Sequence, residues 1–584
     1  WTEEGEPYVL TGDVKVPGGG KLVIDPGVKV MPTGNYGIIS KYNNPYWHRI
    51  YAQGTALNKI LFTPHRKLYP ETDSIPKGFW KGIDFHTANW EDSLIFDHCL
   101  IEGAGSDSAG FWVYMAKYVS LTNCEISKSG GFGFYCDYRC SNVSVYECQF
   151  TNNDSIPLVA PFKFIGEIYG NGFVNNKPNV IGIRGGTRNT DATIDNQGVP
   201  YWFLKGEFIV ESTNDAYCPV LTIQAGVKIF FHDSSGLYLG VYPSPMRAKI
   251  LAQGTADSII IFSALDTTKH WRGIHIADNN IADTSKFEYC EISYGGRILN
   301  PWFDRSGGNI GFLWDHTPYI IRNSSIGKSL NSGCGNFHVT SGRDSLVSII
   351  KNNVFYENDS FPLYLGANEL GECEGNAFIN NGINAILVKG ERIDHSIAIK
   401  NQGVPYVVHW YWNVINVDGR KRLATLEIEK GNIMQFGGGA ILVGDSGVVR
   451  AKGVTFTAPD TIWAGIKFDY ANADTSILDS CHIEKAGFYS VGGWPYGAIH
   501  LNGSRVRISN SSITNNEKGL WLAYQNRLNL TGNLIAQNRC GIYRASSDFN
   551  SDSILINTNQ FIGNKIAIQN TNTNRMLNAD SNWW

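Results

Sequence analysis

The side chains best placed to do chemistry are Asp304-Arg305 and Asp315-His316, the one local set that joins carboxylates to a base or a cation. Such a set confined to one stretch of chain would suit general acid and base work. Internal comparison argues against it. Aligned on Cys124, Ser324 and Ser511, the pair Asp315 and His316 falls where Met115-Ala116 and Asn502-Gly503 stand elsewhere, which reads as a variable turn at a strand end. Asp304-Arg305 reads as well as a surface ion pair. Asp394-His395 lies in a segment, Ile386 to Tyr406, that parallels Ile181 to Tyr201, so it reads as a junction between repeats. Cys99, Cys124 and Cys148 are spaced for a metal site or for a stacked internal ladder, and the ladder is favoured because buried Cys behaves as a small hydrophobe. Cys136 and Cys140 leave a local disulfide open.

Aromatic loops are the second kind of chemistry. Asn300, Trp302 and Phe303 sit in one insertion after Cys290, beside Asp304 and Arg305, and Trp494 and Tyr496 occupy the corresponding place after Cys481. Tyr46 and Trp47 belong to a second loop series shared with Tyr242-Pro243. Flat rings on repeated loops would stack on sugar faces or pack subunits together.

These residues need a scaffold, and the repeats define it. Ala52-Gln53-Gly54-Thr55-Ala56 returns as Ala252 to Ala256, and Trp80-Lys81-Gly82-Ile83 returns at almost equal spacings as Trp271-Arg272-Gly273-Ile274 and Trp463-Ala464-Gly465-Ile466. Gln197-Gly198-Val199-Pro200-Tyr201 and Gln402 to Tyr406 mark two openings, which predicts three related modules in one continuous solenoid: 1–196, 197–401 and 402–584. Within the first, Cys99, Cys124, Cys148 and Asn171 follow one another at a nearly constant interval, each two positions before an apolar residue. That interval is the length of one coil. Runs such as Val143-Ser144-Val145 and Leu528-Asn529-Leu530 alternate with period two, and Asn, Gly and Asp punctuate them. No segment sustains a helical period. The prediction is an all-β stack of about 24 coils, each strand bonded to the coils above and below.

The phrases Cys148-Gln149-Phe150-Thr151-Asn152-Asn153, Asn376-Ala377-Phe378-Ile379-Asn380-Asn381 and Ser512-Ile513-Thr514-Asn515-Asn516 resemble the recurring coil of the right-handed parallel β-helix proteins, the pectin lyase-like superfamily. The resemblance covers nearly the whole chain. It implies the right-handed parallel β-helix fold but not one activity, since the superfamily holds lyases, hydrolases, epimerases and adhesins. Trp314-Asp315-His316 is superficially similar to a phrase of its pectate lyase branch, which would call for calcium. The chain lacks the Asp-Asp and His-Gly phrases of the polygalacturonase branch.

Composition narrows the partners. Charged residues are 17% and the formal net charge is -4, with Lys and Arg scattered, so nucleic acid is not expected. No apolar run approaches the ~20 residues of a membrane span. The start at Trp1 fits a trimmed product, and Asn582-Trp583-Trp584 resembles a phrase that continues, so a longer native chain is expected. The expectation is a secreted or cell-surface β-helix, non-enzymatic, that binds polysaccharide or assembles with itself, with no metal or other cofactor. The alternative is a polysaccharide lyase or glycoside hydrolase, with calcium in the lyase case.

Overall fold

The computed structural model describes residues 1–40, 46–65, 74–86, 91–214, 216–240, 246–277, 284–299, 308–312, 318–336, 348–409, 414–420, 422–459, 462–487, 497–545, 553–571 and 576–584. As expected, the described chain is nearly all β and winds as a parallel solenoid. It closes about 19 turns, not 24, because coil length varies widely. Tyr8 pairs with Val30, whereas Gly37 pairs with Gly82, a coil that takes up far more chain. The chain divides into two compact units, 1–278 with 285–304, and 279–284 with 305–584.

The first unit begins with three sheets. The first runs from Tyr8–Leu10 through Cys99–Glu102, Glu125–Ser127 and Gln149–Thr151 to Gly172–Val174. Gly82–Phe85, Ala109–Val113, Phe132–Cys136 and Leu158–Pro161 belong to the second, and Ser93–Asp97, Tyr118–Thr122 and Asn142–Tyr146 to the third. Alternation decides what each strand buries. Phe111 and Val113 point into the coil and are fully buried, as are Phe134 and Cys136 one coil on, while Trp112 and Tyr135 between them face out.

Paired asparagines make the corner after the first sheet. Asn152 takes the left-handed conformation at φ 56, which Asn tolerates, and this turns Asn153 inward. Ser129 N–H donates to Asn153 Oδ1 at 2.9 Å, and Asn153 Nδ2 donates to Asn176 Oδ1 at 2.8 Å and to Ile126 O at 3.1 Å. The Asn153 amide thus finds its partners in the coils on both sides.

The cysteine ladder is present. Cys99, Cys124 and Cys148 are buried free thiols, and the Cys99 Sγ–H reaches Ala52 O at 3.3 Å and Asp97 O at 3.4 Å. Cys290 repeats this with Ala252 O and Glu288 O, and Cys481 with Ala451 O and Asp479 O. Cys136 and Cys140 are likewise buried free thiols, so no disulfide joins them.

The winding changes face at 162–203. A 3-10 helix, Phe162–Glu167, occupies the corner after Leu158–Pro161, and one coil later that corner opens into the strand Gly186–Arg188, which founds a new sheet. Meanwhile the first sheet ends. Its next strand is replaced by the corner Gln197 to Pro200, where Gln197 Oε1 accepts the Asn171 N–H at 2.9 Å. Cys99–Glu102 therefore lies in the first sheet, but Cys290–Ser293 lies in the second. The second unit makes the same change at Ala367–Glu372, where Gln402 Oε1 accepts the Asn376 N–H at 3.0 Å and the strand Arg392–Ile393 founds a sheet. Asp394 and His395 follow that strand and bond each other at 3.0 Å.

Glycine is required where strands crowd. Gly82 has φ +95, and a Cβ there would fall onto the Gly110 carbonyl of the next coil. Gly82→Ala is expected to cost about 1–3 kcal/mol, by strain alone. Urea unfolding of the full chain checks it, and an unchanged midpoint would contradict it.

Candidate functional site

The outer surface of the second sheet in the first unit carries a continuous stripe. Asp84, Trp112, Tyr135, Val159, Gly182 and Trp202 occupy successive outward positions in register. The Trp112 and Tyr135 rings lie 5.1 Å apart at 54°, and Phe132 meets Tyr135 at 5.3 Å. Below them Ile156, Val159 and Val180 form a small external core, covered by Phe132, Tyr135, Trp202 and Leu204. That core supports Tyr135 and Trp202 from beneath.

Polar groups flank it. His86 bonds Asp84 and sits 4.9 Å from Trp112 and 5.6 Å from Tyr114. The Arg139 guanidinium lies over Tyr114 at 4.3 Å and over Tyr138 at 4.8 Å. Further along the stack, Arg184 Nη1 donates to Tyr135 Oη at 2.7 Å and to Asp137 Oδ2 at 2.9 Å. Burial raises the Tyr135 hydroxyl pKa, so that phenol stays protonated. Asp137 is buried and already bound to Arg184, so it is poorly placed to act as a free acid or base. Trp112 Nε1 has no hydrogen-bond partner among the described residues. An apolar platform with a rim of Asp, His and Arg is suited to a flat, hydroxylated ligand.

The coil geometry, the parallel pairing and the corner asparagines agree with one family. The chain matches the right handed beta helix region family over residues 81–197 and 413–583. The fold is a right-handed parallel β-helix. No curated protein and no solved structure matches it.

The second unit of the β-helix carries a related column. His500, Trp521 and Tyr543 stand at successive outward positions, with Trp521 and Tyr543 4.6 Å apart. Lys518 Nζ lies 4.8 Å from Trp521 and 5.4 Å from Tyr543. His500 is buried, which holds its pKa down to about 4 and keeps the ring neutral. In the first unit, Tyr238 and His275 also stack outward at 5.1 Å, but both are buried. The partly exposed ring pair of Trp112 and Tyr135 is therefore not a simple product of the repeat.

Of the residues expected from sequence, Asn300, Trp302, Phe303, Asp304, Arg305, Asp315, His316, Trp494 and Tyr496 lie outside the described residues, as do Tyr242 and Pro243. Tyr46 and Trp47 sit on the corner between the second and third sheets, not on the stripe. Tyr46 is 62% exposed, and the Arg49 guanidinium covers Trp47 at 4.3 Å. Among the described residues no group of three or more His, Cys, Asp or Glu could hold a metal ion, and no helix is long and apolar enough to cross a membrane.

Proposed function

We propose that this protein is a secreted or surface-displayed β-helix scaffold that holds glycan chains against the stripe at Trp112 and Tyr135 without cleaving them. The single observation that carries this reading is the pair of outward rings one coil apart, of which Tyr135 packs on an external core. A free outward Trp or Tyr gains little on a coil surface, whereas two rings at about the spacing of one coil give a chain of sugar rings successive apolar faces. The scattered charge and the Gly- and Asn-rich turns support an extracellular setting, and the aromatic corner at Tyr46 and Trp47 extends the same surface chemistry.

The experiment is retention on a panel of immobilised polysaccharides, with released sugar measured in the same wells. Wild-type protein should be retained on at least one polysaccharide. Trp112→Ala should weaken that retention by about tenfold, since one aromatic contact contributes about 1.5 kcal/mol. Retention unchanged in Trp112→Ala and Tyr135→Ala would remove the stripe as the binding surface. Release of reducing ends or of ultraviolet-absorbing unsaturated products would overturn the non-enzymatic reading.

A further inference from the structure

A second concave site lies around the corner from the stripe, outside the third sheet. It is a cleft of about 540 Å³, and it exists because the 3-10 helix Phe162–Glu167 stands out from the corner at which the winding changes face. That volume is within the range of small-molecule sites. Its floor is a column of hydroxyls, where Ser144 Oγ donates to Ser120 Oγ at 3.3 Å. Tyr118, 49% exposed, lines the cleft beside them.

The helix supplies two charges with different fates. Glu167 is satisfied, because Arg188 Nη1 donates to both of its oxygens at 2.7 and 3.0 Å. Lys163 has no ion-pair partner among the described residues. Its Nζ donates to two backbone carbonyls, Tyr138 O at 2.8 Å and Cys140 O at 2.5 Å, which leaves one N–H of the ammonium without an oxygen acceptor. The Phe164 ring, 4.8 Å away, faces the ammonium but carries no charge. Asp137, the acid it feels through space, is bound to Arg184. A half-buried ammonium without a counter-charge is costly, and burial lowers the Lys163 pKa accordingly. An incoming anion removes that cost and gains a charge-assisted hydrogen bond.

We propose that this cleft binds a saccharide unit bearing one anionic substituent, the anion meeting Lys163 Nζ and the ring hydroxyls meeting Ser120 and Ser144. Carboxylate, sulfate and phosphate esters share that chemistry. The site stands on its own residues and does not depend on the stripe.

The test is calorimetric titration of the full chain with glucuronate, glucose 6-sulfate, glucose 6-phosphate and glucose. At least one of the three anionic sugars should bind ten times more tightly than glucose, and the one that does names the substituent. Lys163→Met should reduce that affinity to the level of glucose; because it also removes the bonds to Tyr138 O and Cys140 O, a cooperative unfolding transition checks that the variant is folded. Ser144→Ala, at an outward strand position, should weaken the anionic sugar severalfold and keep its preference over glucose, and it serves if the Lys163 variant does not fold. Three anionic sugars that bind no better than glucose would overturn the proposal, as would a Lys163→Met protein that keeps the preference. Trp112→Ala should leave this titration unchanged, so failure here and failure of polysaccharide retention are separate results.

Discussion

Trp271→Ala lowers the stability of the first unit by about 3–5 kcal/mol, the cost of emptying a large buried aromatic site. Trp271 has no exposed surface, its ring stacks on Phe231 with centroids 4.0 Å apart, and its Nε1–H donates to Ser293 O at 2.8 Å. Alanine leaves both a cavity and an unpaired buried carbonyl. Trp271→Phe separates the two effects: it keeps most of the packing, loses the bond and should cost about 1–2 kcal/mol. The site recurs, since Trp80 donates to Glu102 O and Trp463 to Glu484 O, each at 2.8 Å, and Trp463 stacks on Phe436 at 4.3 Å. Three equal bonds from three copies of the Trp-x-Gly phrase mean that the ring locks the corner before the glycine in every case. In a solenoid each coil is stabilised mainly by its neighbours, so the loss should also appear as faster amide exchange in the coils around Trp271. A shift below about 1 kcal/mol in urea, with exchange unaltered, would contradict the locking role.

The inward half of the fold is legible in the sequence for a simple reason. Residues such as Phe111, Phe134 and Phe150 must be apolar every second position, and buried Asn or Cys must recur once per coil to satisfy the corner. The coil count is less legible, because insertions between strands lengthen some coils without changing the strands themselves. The face change is hidden for another reason. Gln197 to Tyr201 is readable as an opening phrase, but which sheet a strand joins depends on the neighbour it meets in space. The stripe leaves a signal that inward-looking periodicity passes over: Trp112 and Tyr135 are both outward and one coil apart, as are Trp521 and Tyr543. An aromatic residue repeated on the outward register lies outside the inward alternation, which is what distinguishes it from the core pattern. Lys163 leaves no such trace, since its meaning depends on which carbonyls and acids surround a short 3-10 turn. The loop aromatics Trp302 and Trp494 stand out by composition, and the described surface offers ring pairs in strands instead.

The second large effect concerns the asparagine corners, and Asn538→Asp tests them with a change of one atom type. Asn538 Oδ1 accepts both the Asn516 N–H and the Asn516 Nδ2, each at 3.0 Å, while its own Nδ2 donates to Ile513 O at 2.9 Å and to Asn564 Oδ1 at 3.0 Å. An aspartate keeps the accepting half. Its second oxygen, however, faces two other oxygens with no proton between them, in a site 2% exposed. The expected cost at neutral pH is about 3–5 kcal/mol, the magnitude typical of an uncompensated buried charge. The sign with pH follows from the same geometry. Burial and the facing oxygens favour the protonated acid in the folded state and so raise its pKa above the unfolded value. The deficit is therefore smallest below the unfolded carboxyl pKa, where an O–H restores one donor, and grows as pH rises towards the raised folded value. Asn538→Leu lacks any titrating group, so its deficit should stay flat over the same range. Parallel urea unfolding of the two variants between acid and neutral pH distinguishes them, and a pH-independent difference would show that the ladder is held by shape and not by its alternating donors and acceptors.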